Sequence, residues 1–365
     1  MIHLLYCAIH DTTPDEKPEQ LSFDRIYGYA MEHDVANLAF YAVERLQNQP
    51  DRDLCAKWGR RRDLALMRDM HQEFARNEIV AEFRSRGIPY KELQGTVLKK
   101  LYPRTEYRTM SDLDFIVEKK HLTQCGKILE DLGYRCSKQD DFEIDGIRKP
   151  DICVELHTDY FSPYTVYYDI MREPVFDREI SEEEKDTELY LYNILHIAKH
   201  YFSGGCGIRR ILDMYYIDRC YRDKIDSDHV RRVLSEAGML QFAQEIIDLA
   251  HSWFGKAGRD DKHSAMEQMI VDAGLHGKRE NYISRRIRRK DKDASLSASA
   301  KAKYLRSRIF PGAKVMEIKY PVLKRIKILY PFCWGHRIIR MILGRNRQAS
   351  LLDLRLVLRA EEKDS

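Results

Sequence analysis

No stretch of the 365-residue chain approaches the ~18 uncharged apolar residues that a membrane-spanning helix needs. A helical membrane span is therefore excluded. The apolar patch from Met1 to Ile9 has no basic region before it and no long apolar stretch, so no secretory leader is expected. The eight cysteines are irregularly spaced and include no Cys-x-x-Cys pair, which excludes a disulfide scaffold. Reduced thiols in a cytoplasmic protein fit this usage best. Internal repeats are also lacking. Disorder of the whole chain is excluded by a hydrophobic content of 44%, enough apolar material for one large core or two to three ordinary ones.

An excess of one charge sign is missing only on average. The 62 Lys and Arg residues against 58 Asp and Glu leave a net charge of +4, which by itself argues against a dedicated nucleic-acid binder. Residues 278–347, however, hold 21 basic and four acidic side chains, a net of +17, so the remainder carries −13. The chain is two electrostatic objects.

Apolar positions such as Leu38, Tyr41, Ala42 and Leu46, continued by Leu64, Met67, Met70, Phe74 and Ile79, recur at helical steps through residues 21–87. Gly87 and Pro89 stop that run. Short β-type runs follow at 89–93, 112–117, 134–138, 142–144 and 151–157, with a helix at 121–132 closed by Gly133 and a turn expected at Asp145-Gly146. From Ser181, with Glu184 completing a capping box, helical spacing returns and persists to about Phe254. The expected fold is α+β and mainly α, with a small mixed sheet embedded between helical regions. Its parts are an N-terminal helical region at 1–86, the sheet core at 87–162, a helical domain at 163–277, a basic linker at 278–303 and a basic aromatic extension at 304–365.

Chemistry concentrates in the sheet core. On a strand, Asp112 and Asp114 share one face and Leu113, Phe115 and Val117 the other. Two carboxylates roughly 7 Å apart along a strand repel unless a cation lies between them, and hard oxygen donors suit Mg²⁺ or Mn²⁺. The plainer alternative is a surface pair beside a turn. A second strand repeats the parity: Glu155 and His157 alternate with Val154 and Leu156, so Glu155 can complete a three-carboxylate cluster if the strands are neighbours. Such clusters bridge two metals in phosphoryl or nucleotidyl transfer. Gly95-Thr96 after the first strand offers backbone N–H groups at a helix start, where phosphate binds favourably.

Gly-Thr, a spacer, Asp-Leu-Asp and a later strand with Glu155 resemble the nucleotidyltransferase superfamily that includes DNA polymerase beta. More narrowly, Gly87-Ile-Pro-Tyr-Lys-Glu-Leu-Gln-Gly95, Leu101-Tyr-Pro103, Arg108-Thr-Met-Ser-Asp112-Leu-Asp114 and Val154-Glu-Leu-His157 are similar to the bacterial uncharacterised nucleotidyltransferases. So are Phe310-Pro311, Tyr320-Pro321, Tyr330-Pro-Phe-Cys-Trp334 and Arg337. The resemblance implies that Asp112, Asp114 and Glu155 hold the metals, with Glu155 helping to activate the acceptor. It further implies that Gly95 and Thr96 lie under the triphosphate and that Arg108 contacts a phosphate or orients the site. Where the family has Lys before the loop glycine this chain has Gln94, and Lys91 on the strand, at a different position, is expected to supply a positive charge near the nucleotide.

Other groups carry weaker signals. His196 and His200, one helical turn apart, have a spacing that can hold zinc with Asp213, but the Glu of His-Glu-x-x-His is absent. The alternative is a polar cluster of His200, Arg209 and Asp213 that lines the cleft, joined there by His157, or simply bridges helices. Lys199 either reaches a phosphate or is solvated. The basic run Arg285-Arg286-Ile-Arg288-Arg289-Lys290 is a solvated block or, with the rest of 278–347, a contact for an anionic surface or RNA. The segment from Tyr320 to Ile342 is expected to pack on the helical domain, with a membrane-surface helix as the alternative. The expected activity moves an NMP from an NTP to an acceptor hydroxyl, a small molecule before RNA or protein. The alternative is a non-catalytic nucleotide-binding module.

Overall fold

The computed structural model describes residues 1–171, 174–176, 178–255, 264–274, 297–343 and 356–357. Four helices open it: α1 (Ile2–His10), α2 (Phe23–Glu32), α3 (Ala36–Val43) and the 34-residue α4 (Arg52–Ser85). Asp51 caps α4, its carboxylate accepting from the N–H groups of Asp53 and Leu54 at 3.0 Å. The helical expectation for 21–87 holds. Leu64, Met67, Met70 and Phe74 are 55%, 55%, 70% and 65% exposed. The reason is that α4, about 50 Å long, serves two cores in turn. Leu54 and Trp58 enter one, and Ala75, Ile79, Val80 and Phe83 enter the other.

That second core lies under a five-stranded mixed sheet of β1 (Tyr90–Glu92), β2 (Asp112–Val117), β3 (Arg135–Lys138), β4 (Glu143–Arg148) and β5 (Ile152–His157), in the order β1-β2-β5-β4-β3. β2 and β5 run parallel and the other pairs antiparallel. Leu113, Phe115, Val117, Val154 and Leu156 pack beneath it against α4 and against α6 (Leu122–Asp131). The turn expected at Asp145-Gly146 is absent, because β4 runs straight through both residues. A Cβ on Gly146 would lie 3.2 Å from Leu129 Cδ1 and 3.4 Å from Tyr134 Cβ, so this glycine lets α6 and Tyr134 close on the sheet. The chain turns instead at 149–151, where Asp151 takes φ 49°.

After the sheet come α7 (Tyr167–Ile170), α8 (Glu182–Ser203), α9 (Ile208–Tyr221), α10 (Ser227–Glu236), α11 (Leu240–Phe254) and α12 (Ser264–Ala273). The Ser181–Glu184 capping box is formed, and the helical run ends at Phe254 as expected. Buried residues of α1, α3, α8, α9 and α11 form one core together with Trp58. Helices of regions 1–86 and 163–277, apart in sequence, thus share one core.

Residues 298–303, assigned to a linker, instead begin the helix Ala298–Ile309, capped by the Ser297 hydroxyl on the Ala300 N–H at 3.2 Å. The basic run at 285–290 lies outside the described residues. Among the described residues Ala300, Tyr304 and Val357 form a cluster of their own, while in the segment from Tyr320 to Ile342 Leu323 is buried and Phe332 is 74% exposed. Among the described residues no helix is long and apolar enough to cross a membrane.

Candidate active site

The parallel β2–β5 pair aligns Asp112 with Cys153, Asp114 with Glu155 and Ile116 with His157. Strand parity therefore sends Asp112, Asp114, Glu155 and His157 to one face of the sheet, opposite the α4/α6 core. Asp114 is buried, and its backbone carbonyl accepts the Leu93 N–H at 3.0 Å, which ties the turn after β1 to the site. Asp114, Glu155 and His157 each offer a ligand atom within 4.8 Å of the others. Expected membership was Asp112, Asp114 and Glu155; His157, expected only in the cleft, joins the tight group, and Asp112 stands beside it.

Electrostatics explains the arrangement. His157 Nε2 lies 3.3 Å from Asp114 Oδ1 and 3.4 Å from Glu155 Oε2. Burial opposes charge on His157, but hydrogen bonds to Asp114 and Glu155 overcome it and raise its pKa to about 10. The same hydrogen bond from His157 holds Glu155 below the ordinary carboxylate range despite its burial. Burial and the charges of Asp114 and Glu155 push Asp112 up to about 6. A face with three carboxylates demands positive charge, and its hard oxygen donors fit Mg²⁺ or Mn²⁺.

Gly95 and Thr96 open the one-turn α5 (Gly95–Leu98) next to β2. A Cβ on Gly95 would sit 2.6 Å from Arg108 Nη1 and 2.7 Å from Met110 Sδ, so the glycine admits these side chains. The Thr96 hydroxyl is buried and has no hydrogen-bond partner among the described residues. Gln94 holds φ 47°, ψ −122°, backbone that glycine adopts far more readily.

Arg108 does not point at open space, as a phosphate ligand would. Its guanidinium is buried on Asp213 of α9, Nε to Oδ1 and Nη2 to Oδ2 both at 3.0 Å, while the Tyr102 hydroxyl donates to Asp213 at 2.7 Å. This pairing fastens the loop before β2 to α9. Arg209 pairs with Asp34 and donates to the Thr109 carbonyl at 2.8 Å, fastening the same loop again. His200 meets His196, Nε2 to Nε2 at 3.1 Å. The expected cluster of His200, Arg209 and Asp213 is thus divided among three partnerships, and the zinc set with Asp213 is not assembled because Arg108 holds that carboxylate. Lys91 on β1 is paired with Glu188 of α8. Lys199 lines a cavity of about 170 Å³ with Gln94, Glu143, Glu155, His157 and Tyr192. A larger cavity of about 900 Å³, which holds Lys91, shares Leu93, Tyr160 and Tyr192 with it.

The sequence reading missed Arg210, one of two adjacent arginines that open α9 after the Ser203-Gly-Gly-Cys-Gly207 segment. Basic residues in the first turn of a helix are the signal that was available. Residues 19–255 match the family model described as uncharacterised nucleotidyltransferase. No curated protein and no solved structure matches the chain.

Proposed function

The chain belongs to the uncharacterised nucleotidyltransferase family, and on that premise we propose that it transfers an NMP from an NTP to an acceptor hydroxyl. The acceptor oxygen bonds to the α-phosphorus, the bond from that phosphorus to the β-phosphate bridging oxygen breaks, and pyrophosphate leaves. The acceptor proton passes to the Glu155 carboxylate. Asp112, Asp114 and Glu155 would hold Mg²⁺ or Mn²⁺, which supplies charge neutralisation at the phosphoryl oxygens. Gly95 and Thr96 lie where the triphosphate would run, and the orphaned Thr96 hydroxyl is a donor available to it. The 900 Å³ cavity, which shares Leu93, Tyr160 and Tyr192 with the smaller one that Glu155 lines, has room for a small-molecule acceptor.

The observation carrying this reading is the register that sets Asp114 directly against Glu155 in a group whose ligand atoms lie within 4.8 Å. Asp114→Asn should cut pyrophosphate release from NTP by at least about 10²-fold with the circular dichroism spectrum unchanged. Release at the wild-type rate would sink the assignment. A second reading, a nucleotide-binding module without turnover, is favoured by Gln94 in place of the family Lys. NTP binding without pyrophosphate release across a broad acceptor panel is its signature.

A further inference from the structure

Four basic side chains converge where α8 and α9 meet the loop before β2, and two of them are spent. Arg108 is taken by Asp213 and Arg209 by Asp34. Arg210 and Lys199 are different. Arg210 is 9% exposed, yet among the described residues no carboxylate pairs with it. Its Nη1 meets His196 Nδ1 at 3.2 Å and its Nε has no hydrogen-bond partner among the described residues. Lys199 has neither a hydrogen bond nor an ion pair among the described residues, although it lines the cavity of Glu155 and His157. A buried guanidinium normally has a carboxylate, because an uncompensated charge away from water is costly. Burial and the neighbouring Arg209 accordingly hold Arg210 down to about 10, and burial and Arg210 hold Lys199 below the usual lysine range.

The helix end adds to the same potential. α9 is 14 residues long, its N-cap is Gly207 with no side-chain cap, and its first turn has no acidic residue but Arg209 and Arg210 instead. Positive side chains at the positive end of a helix oppose the usual preference and leave the region in need of an anion.

We propose that Arg210, in the uncapped first turn of α9, and Lys199, near the end of α8, bind the β- and γ-phosphates of the nucleotide. This rests on the nucleotidyl-transfer reading above and names the residues that receive the leaving group. Proximity supports it: Arg209 donates to the carbonyl of Thr109, three residues before Asp112, and Lys199 shares its cavity with Glu155. A nucleotide with its α-phosphate at the carboxylates carries two further phosphates beyond them, and these meet the cations that no carboxylate has claimed. In the phosphate-free protein Arg210 is an unrelieved charge, so its removal weakens binding without weakening the fold.

The test titrates the full chain with inorganic triphosphate, ATP and adenosine by calorimetry, and records melting temperatures without ligand. Arg210→Met should lower affinity for inorganic triphosphate and ATP about tenfold or more, as loss of a charge-assisted bond implies. Adenosine binding and the ligand-free melting temperature should not fall. Should R210M fail to fold, Lys199→Met carries the same expectation. Wild-type triphosphate affinity in the folded variant, or no triphosphate binding by the unaltered protein, would overturn the proposal. An unaltered protein that binds triphosphate through Arg210 yet releases no pyrophosphate from NTP would keep this anion site and refute the transfer reading instead.

Discussion

Asp213→Asn isolates the charge that keeps Arg108 in the interior. The amide keeps the volume of the carboxylate and can still accept from the Tyr102 hydroxyl, so packing is preserved. What disappears is the anion across from a guanidinium whose side chain is 4% exposed, held by two 3.0 Å bonds. Burial works against both charges. Even so, Asp213 holds Arg108 above its ordinary value, and Arg108 holds Asp213 below the ordinary carboxylate range. Removing one member of such a pair costs about 3–5 kcal/mol, because the other is left charged and dry. At 2–4 °C per kcal/mol for domains of this order, the melting temperature should fall by roughly 6–20 °C. The double variant Arg108→Met/Asp213→Leu leaves no stranded charge and should recover most of the loss, giving a strong coupling in a double-mutant cycle. A D213N protein that melts with the wild type would show that Arg108 does not depend on Asp213. The anchoring role would then be wrong, and a phosphate role for Arg108 would return.

Leu64→Gln and Phe74→Gln should each change unfolding free energy by no more than about 0.5 kcal/mol, because both side chains face water; Ile79→Ala, in the sheet core, should cost about 2–5 kcal/mol. Chemical denaturation of the three variants checks this, and a large loss from Phe74→Gln would return the stripe to the core. Acid should weaken the fold through His196, which burial and then the Arg210 charge keep well below the ordinary histidine range. Above pH ~6.5 this imidazole is neutral both folded and unfolded. As the pH falls below that value the unfolded chain takes up a proton that the fold refuses, so stability falls by up to about 1.4 kcal/mol per pH unit. Denaturation midpoints of His196→Gln between pH 7.5 and 5 should show a shallower acid limb than the wild type; an identical slope would mean that His196 is not held neutral.

Alternation along two short runs was sufficient to put Asp112, Asp114, Glu155 and His157 on one face, since the strand period of two leaves no choice once Leu113 and Val154 are buried. Pairing of those two strands, and hence Asp114 opposite Glu155, is a matter of topology that no local pattern encodes. His157 was harder still. Its place between two carboxylates follows from the register, not from its spacing. Along α4, periodicity identifies a stripe without saying which stretch of it meets a core, and a helix that serves two cores has a stretch between them where the apolar side is left outside. At Asp145-Gly146 a turn-forming dipeptide has another use, removal of a Cβ from the path of Leu129. Arg210 escaped notice because the lack of a partner, not the residue type, is what makes it informative.

The central claim is that the face shared by Asp112, Asp114 and Glu155 holds the metal against which the α-phosphate reacts. Diffraction from crystals grown with Mg²⁺ and a non-hydrolysable NTP tests it in a single experiment. Carboxylate oxygens of Asp114 and Glu155 should lie about 2.0–2.1 Å from an ion that also touches an α-phosphate oxygen. A nucleotide bound elsewhere, or an ion that ignores both carboxylates, would contradict the account.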